Sequence, residues 1–407
     1  MRKQYYIFAA CFLFSLGTNI LSLSLIFRLT DTLSFNPGQI GTYMALGQLF
    51  YFLGCNLYHR IGSAFNNASV FTGSAIIVLI SSIFLGFTRS SGIIYASYWI
   101  LQIGAGFFWP PIMAWLTEGL SGKELSREMG FFNRSWMGAN MIGPLIAGTL
   151  YAWNSTVNFL IIIFCYALVL ALIILLRKSS GKEGTQTPVK TKAEDRDNTA
   201  ENITSYMLTD KIQKLYRYRG WLSGFCNTVF VGVLLNIIPL HIRDGLGYTE
   251  QSAGIVLFMR TIPGLIGFSL LAKFNAWQFN RKWFYLTQSG LIACSVLLLL
   301  AGDRLAVFYA IVILYGFVNS ACYNNSMFYS SATGISPKKN LAIHEIFLCM
   351  GNAAGTAGGG FMYQHFGFTG VCLSLVMALG MGLAAHFIFN RQHLAEVKKE
   401  RTAKPPL

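Results

Sequence analysis

Twelve apolar stretches of roughly 20 residues each run through this chain of 407 residues, and no other feature limits its fold as severely. A hydrocarbon core about 30 Å thick takes about 20 residues of helix to cross, and a helix satisfies its own backbone hydrogen bonds where no water can. The stretches lie near 5–27, 38–58, 69–88, 92–117, 127–152 and 156–176, then near 220–240, 251–272, 283–301, 305–331, 341–363 and 367–390. Composition agrees: 54% of residues are hydrophobic and 12% charged, against roughly a quarter charged in soluble domains, so a soluble globular fold is excluded. The first stretch follows Met1, Arg2 and Lys3 as a signal peptide would. Yet Tyr5 to Phe27 is long enough to span and is followed by no convincing cleavage site, so it reads as a first membrane helix.

The formal net charge is +15, which by itself fits nucleic acid, anionic lipid or membrane topology. Placement along the chain separates these readings. With both termini on the cytoplasmic side, the inner segments hold Arg2, Lys3, Arg60, Lys123, Arg127, the basic residues from Arg177 to Arg219, Lys273, Arg281, Lys282, Lys338, Lys339 and the basic tail. The outer segments hold only Arg28, Arg89, Arg243 and Arg304. That asymmetry is the positive-inside rule, and it calls for no nucleic-acid partner. The expected location is the cell (inner) membrane, multi-pass, with N and C termini cytoplasmic. The short outer loops leave no room for an external catalytic or receptor domain.

Between the two sets of six spans lies a polar segment containing GKEGTQTPVKTKAEDRDNTAEN, too poor in apolar residues to build a core and expected to be disordered. Its last part, YMLTDKIQKLYRYR, puts Met207, Leu208, Ile212, Leu215 and Tyr216 near one helical face. A short helix on the membrane surface and an unstructured approach to the seventh span both fit that pattern. The eight cysteines each sit inside an apolar run without CxxC spacing, so they read as small buried hydrophobes rather than disulfides or metal ligands.

The chain also repeats itself. An offset of 213 residues brings Asp31, Phe35 and Gly41 onto Asp244, Tyr248 and Gly254, and one of 215 brings GLSGK at 119–123 onto GISPK at 334–338, Phe132 onto Phe347 and Gly143 onto Gly358. Matches at nearly one offset, at equivalent places in each set, indicate a duplication. The expected division is an N-terminal six-helix bundle at 1–178, a cytoplasmic linker at 179–219, a C-terminal six-helix bundle at 220–390 and a basic tail at 391–407.

Two halves of six spans joined by a long inner linker, with IGAGFFWPP at 103–111 and MGFFNRSWMGANMIGPLIAG at 129–148, resemble the major facilitator superfamily of secondary transporters over almost the whole chain. The resemblance implies an all-α polytopic membrane protein with about 12 transmembrane helices in two pseudo-symmetric bundles. It also implies alternating access around a central site. Gly138, Gly143, Pro144, Ala147 and Gly148 look like the glycine-proline motif of the family's fifth helix, where small residues let backbones approach and proline permits a bend. Gly351, Gly355, Gly358, Gly359 and Gly360 occupy the related eleventh span, with GxxxG spacing, and helix packing is their expected role. The window Cys55 to Ala64 departs from the family loop, keeping Arg60 and Gly62 but placing His59 where an Asp belongs. Tyr98 stands where many of the family's proton antiporters carry an Arg, which argues against their usual arrangement.

Once loops, linker and tails are counted, two basic residues remain within spans, Arg134 and Arg260. A charge at bilayer depth costs at least about 2.5 kcal/mol, so such residues point to function. In the resembled fold the fifth and eighth helices face each other across the substrate pathway, and two guanidiniums there suit a carboxylate or phosphate. Snorkelling by Arg134, or pairing of Arg260 with carbonyls, is the plainer alternative. For coupling or gating, Glu345 with His344 and Glu118 lie at inner helix ends, with Glu345 also suiting a helix N-terminus. Asp31 and Asp244 are repeat-related outer charges of structural or gating character.

The resembled fold would line its cavity with Asn19, Trp109, Asn227, Asn236, Tyr323, Asn324 and Asn325. Each buried amide needs either cavity water or an interhelical bond. Three successive polar positions at 323–325 cannot face one neighbour, so the tenth span is expected to be irregular or cavity-lining there. No HExxH, Walker loop or GxSxG with a plausible base occurs, and the six histidines are scattered, so neither enzyme chemistry, metal nor cofactor is expected. The expected function is transport of a small organic, anionic solute, with protons as a possible second partner and the protein a monomer. An exporter of amphipathic or drug-like compounds is the alternative, favoured by Phe107, Phe108, Trp109, Trp136 and Tyr323, and a non-transporting receptor or scaffold is the alternative of another class.

Overall fold

Surrounded by hydrocarbon, backbone N–H and C=O groups must bond within their own segment, and the helix does this locally. The computed structural model describes residues 3–61, 65–117, 122–180, 209–274, 276–301, 304–333 and 337–403, and among the described residues every regular element is a helix. In chain order these are α1 (Lys3–Leu33), α2 (Pro37–Ile61), α3 (Asn67–Phe87), α4 (Ser91–Thr117), α5 (Gly122–Trp153) and α6 (Ser155–Ser180). Then come α7 (Asp210–Asn236), continued by Ile238–Leu240 and a π-helical turn at His241–Gly245, α8 (Glu250–Lys273), α9 (Arg281–Leu300) and α10 (Leu305–Ala332). The last helical stretch, Pro337–Ala403, is broken at Gly367, where φ is 64° and ψ −167°. That conformation is open essentially to glycine alone, so Gly367 separates α11 (337–366) from α12 (368–403).

The polar linker at 181–208, the GLSGK repeat segment at 119–121, Glu118 and the side chain of His59 lie outside the described residues. The segment after the linker corrects both sequence readings. It is neither a separate surface helix nor unstructured but the first turns of α7, running unbroken from Asp210. Met207 and Leu208 of the expected apolar face lie outside the described residues, while Ile212 and Tyr216 are buried in one cluster with Phe284 and Tyr329, so their part of the face covers protein, not lipid. The tenth span is likewise a continuous helix through 323–325. The irregular helix that the pattern allowed is not formed.

The helices partition into two compact units: Met1–Ala193 with Ile238–Phe258, and Glu194–Ile237 with Met259–Leu407. In the first, α1 packs on α5 and α6, while α4 packs on α2 and α3. Polar side chains stitch these apolar helices together: Asn158 donates to Ser24 Oγ (2.9 Å) and the Ala147 carbonyl (3.1 Å), and Tyr43 donates to the Ile94 carbonyl (2.9 Å). Small residues set the spacing, since a Cβ on Gly106 would lie 2.6 Å from the Tyr51 carbonyl oxygen and 2.7 Å from Cys55 N. In the second unit α7 lies against α10 and α11, and α9 against α10.

Outward faces are apolar. Ile76, Ile77, Ile80, Ile83, Phe84 and Phe87 all lie exposed along α3, and Leu160, Phe164 and Leu175 along α6. Soluble proteins rarely leave so continuous an apolar face uncovered, whereas lipid covers it without cost. Eight helical stretches among the described residues are long and apolar enough to cross a membrane, the last of them containing both α11 and α12.

Candidate functional site

In the first unit, Asn19 on α1 donates to Asn140 Oδ1 on α5 (2.6 Å) and to the Ser15 carbonyl (2.8 Å). The amide is therefore received by a helix–helix bond. Gly143 makes the approach possible, because a Cβ there would sit 2.6 Å from Asn19 Cβ. Gly148 and Gly254 form a second close contact: a Cβ on Gly148 would overlap the Glu250 carbonyl oxygen, and one on Gly254 the Pro144 carbonyl oxygen. Gly138 is less crowded, with only Phe12 near, at 3.9 Å.

Trp109 is half-buried in an aromatic cluster. Its ring meets Phe14, Phe108 and Phe132 edge-on at 5.7, 5.3 and 6.1 Å, and Phe14 stacks on Phe108 at 3.6 Å. Arg134 lies about three turns into α5, with an exposed side chain whose guanidinium covers the Phe131 ring at 4.6 Å. Trp136 is half-buried on the same helix.

Where α1 and the π-helical turn end, this unit carries a charge network that joins the repeat-related Asp31 and Asp244 through Arg243, which the sequence marks only as a loop charge. Arg243 binds Asp31 (3.0 Å), Asp244 (2.6 Å) and Glu250 (3.7 Å), and lies over Phe27 at 4.8 Å. Tyr151 donates to the other oxygen of Asp31 (3.0 Å). Asp31 and Asp244, related by the repeat, thus meet on one arginine. The turn that presents Arg243 is the π-helical one ending α7.

In the second unit a polar group surrounds the middle of α10. Tyr315 donates to Asn227 Oδ1 (3.1 Å) and lies 3.3 Å from Asn319 Oδ1, to which Asn227 Nδ2 donates (3.0 Å). Phe230 stacks on the Tyr315 ring at 4.3 Å. Arg260 on α8 is an electrostatic neighbour of the Tyr315 phenol, and a Cβ on Gly316 would overlap the Arg260 carbonyl oxygen. Among the described residues no carboxylate pairs with Arg260. Tyr315 and Asn319 escaped the sequence reading, although with Tyr323 they recur at every fourth position and so share one face of α10.

Further along that face Tyr323 is half-buried against Phe268 (5.9 Å) and His344 (5.6 Å). Asn324 is half-buried too, while Asn325 is fully buried and donates to Thr287 Oγ1 at 3.4 Å. His344 shares a hydrogen bond of 2.7 Å with Ser326 through Nδ1, and its Nε2 lies 3.8 Å from Glu345, whose side chain is 62% exposed. Asn236 donates to Thr356 Oγ1 (3.1 Å) and the Gly232 carbonyl (2.9 Å), joining α7 to α11. Gly351, Gly355 and Gly359 line that same junction, against Phe225, Val229 and Val233, whereas Gly358 has nothing within 4 Å.

Long helices with outward apolar surfaces, partitioned into two units and holding polar residues in their interiors, define a multi-pass membrane protein. The Major Facilitator Superfamily model matches residues 7–341 and again 221–407, so the chain belongs to that family of secondary transporters rather than to a class of enzymes. No curated protein is matched by sequence. Solved structures are similar in fold. A POT family transporter in complex with a thioalcohol-conjugated peptide superposes with a TM-score of 0.75 at 12% identity, covering 96% of each chain. The nucleoside transporter NupG gives 0.69 at 14%, covering 96% of this chain and 99% of that one. A bacterial homologue of the human lysosomal transporter Spinster, inward-facing and occupied, gives 0.67 at 13%, covering 96% and 94%.

Proposed function

We propose that this transporter moves a small organic anion by alternating access, with Arg260 as its principal substrate-binding cation and Arg134 as a second. The carrying observation is that Arg260 sits beside the Tyr315, Asn227 and Asn319 group and meets no carboxylate among the described residues. A guanidinium held in a membrane helix needs a counter-charge, and a carboxylate or phosphate supplies two parallel acceptors. Trp109, Tyr323 and Asn324, all half-buried, supply further contacts, with Asn19, Asn236 and Asn325 holding the helices that present them. The test is flux into proteoliposomes from a panel of carboxylates and phosphates, beside a thermal-shift screen against the same panel and a panel of amphipathic cations. Stabilisation by amphipaths alone would favour the second reading, an exporter of drug-like compounds, which the Phe14, Phe108 and Trp109 cluster supports. Ligand binding without flux would favour a receptor or scaffold.

Arg243 is assigned a gating role with Asp31 and Asp244. Both acids are nearly half exposed, so solvent screens these pairs, and losing them is expected to cost about 1 kcal/mol of closure. Arg243→Ala should therefore slow turnover roughly fivefold while leaving affinity for the transported anion nearly unchanged. Unaltered turnover in both Arg243→Ala and Asp31→Asn would remove that role.

Coupling to protons is assigned to Glu345 with His344, which also touches Tyr323; Glu118 lies outside the described residues. Uptake should rise when a proton gradient is imposed on proteoliposomes, and Glu345→Gln should abolish that response while leaving counterflow exchange intact. Identical wild-type flux with and without the gradient would discard the coupling. The cell membrane as location, cytoplasmic termini and a monomeric state complete the proposal.

A further inference from the structure

Arg219, near the start of α7, carries a charge that no acid among the described residues balances. Its side chain is among the largest fully buried in the protein, at 1% exposure, and among the described residues its guanidinium makes one hydrogen bond, from Nη2 to the Arg281 carbonyl (3.0 Å). Nε and Nη1 are buried without a protein acceptor. The guanidinium is packed between rings, 4.3 Å from the centre of Phe284 and 5.2 Å from that of Tyr285. Aromatic faces attract a cation but do not neutralise it, and the other charged neighbour, Arg281, is itself basic.

A second group converges on the same place from α12. His386 is fully buried, its ring 5.5 Å from that of Phe284, and neither ring nitrogen has a partner among the described residues. Tyr285 donates to the His386 carbonyl (3.3 Å), fixing α12 against α9 at this level. The unpartnered guanidinium nitrogens Nε and Nη1 and an unpartnered imidazole, all buried and packed against the ring of one phenylalanine, offer N–H donors that no acceptor among the described residues receives. Buried polar groups in folded proteins are almost always satisfied, and a buried cation asks for negative charge besides.

We propose that Arg219 and His386 form a binding site for a small inorganic anion of chloride size, enclosed by α7, α9 and α12. The site is distinct from the Arg260 group: it is lined by aromatic rings, is closed to solvent at Arg219, and suits an ion that stays bound rather than one that is carried. Its occupant neutralises Arg219 and ties together three helices of the second unit.

The test uses full-length protein purified in detergent. At constant ionic strength, replacing gluconate by chloride should raise the Tm saturably by several degrees. Arg219→Gln should lose this increment, whereas Arg260→Ala should keep it. An increment lost in Arg260→Ala and kept in Arg219→Gln would assign anion stabilisation to the transport site and overturn the proposal. Should Arg219→Gln fail to fold, bromide-exchanged crystals of the unaltered protein decide the matter. An anomalous peak beside Arg219 Nε and Nη1 supports the site, and an empty map there at saturating bromide rejects it.

Discussion

Arg260→Ala is expected to lower substrate-dependent flux about a hundredfold, the largest functional loss from any single substitution in this protein. A charge-assisted pair to an anion, removed from a low-dielectric site, is worth about 3 kcal/mol, and each 1.4 kcal/mol is roughly tenfold. Arg260→Lys keeps the charge but not the planar pair of donors, so it should retain about a tenth of the flux. Arg134→Ala should have a smaller effect, because that guanidinium is exposed and already rests on Phe131. The measurement is initial-rate uptake into proteoliposomes, normalised to protein inserted. Full activity in both Arg260 variants would take away the main support for an anionic substrate. Tyr315→Phe gives an independent check, since it removes the hydroxyl that bonds Asn227 without creating a cavity.

The largest structural loss is expected from Gly355→Leu. A Cβ at Gly355 would overlap the Val229 carbonyl oxygen and come within 2.7 Å of its carbonyl carbon and 2.8 Å of its Cα. Backbone cannot yield as a flexible side chain can, so α7 and α11 must separate. The cost is about 3 kcal/mol or more, at the upper end of overpacking effects. Separation would also pull Asn236 from Thr356, leaving a buried amide unpaired. Gly355→Leu should lower the Tm sharply and broaden the size-exclusion profile. Gly358→Leu, three residues along the same helix with open space around it, should do neither. Equal tolerance of the two substitutions would mean that α7 and α11 do not meet as described.

These two glycines show where sequence reading stops. The small-residue pattern of α11 was legible, because GxxxG spacing is a local signal. Which of Gly355, Gly358, Gly359 and Gly360 faces the partner depends on how the helix is rotated in its bundle, and a cluster of adjacent glycines leaves that open. The same limit explains the amides. Asn19 was a visible candidate, but its partner Asn140 lies 121 residues away, and no periodicity connects them. The turns before Gly220 depart from both expectations for a related reason: an amphipathic face looks alike whether it meets lipid or protein. Ile212 and Tyr216 found Phe284 and Tyr329 instead.

Apolar run length, charge asymmetry and the internal repeat sufficed to determine a polytopic helical protein of two related halves. Those constraints act one segment at a time, since each span must satisfy its backbone and hide its polar groups from hydrocarbon independently of the others. Charge pairing obeys no such local rule. Arg28, Arg243 and Arg304 look equivalent as outer basic residues, yet Arg243 gathers three carboxylates while Arg28 bonds the Thr88 carbonyl. Arg219 looks like one more basic residue of the linker, yet it is buried against aromatic rings, and Arg260 stands beside tyrosine and asparagine with no acid among the described residues. Tertiary structure alone decided these fates, because a charge's environment is set by the rotation and depth of helices far apart in the chain, and a few ångströms separate a neutralised arginine from one that must find an anion.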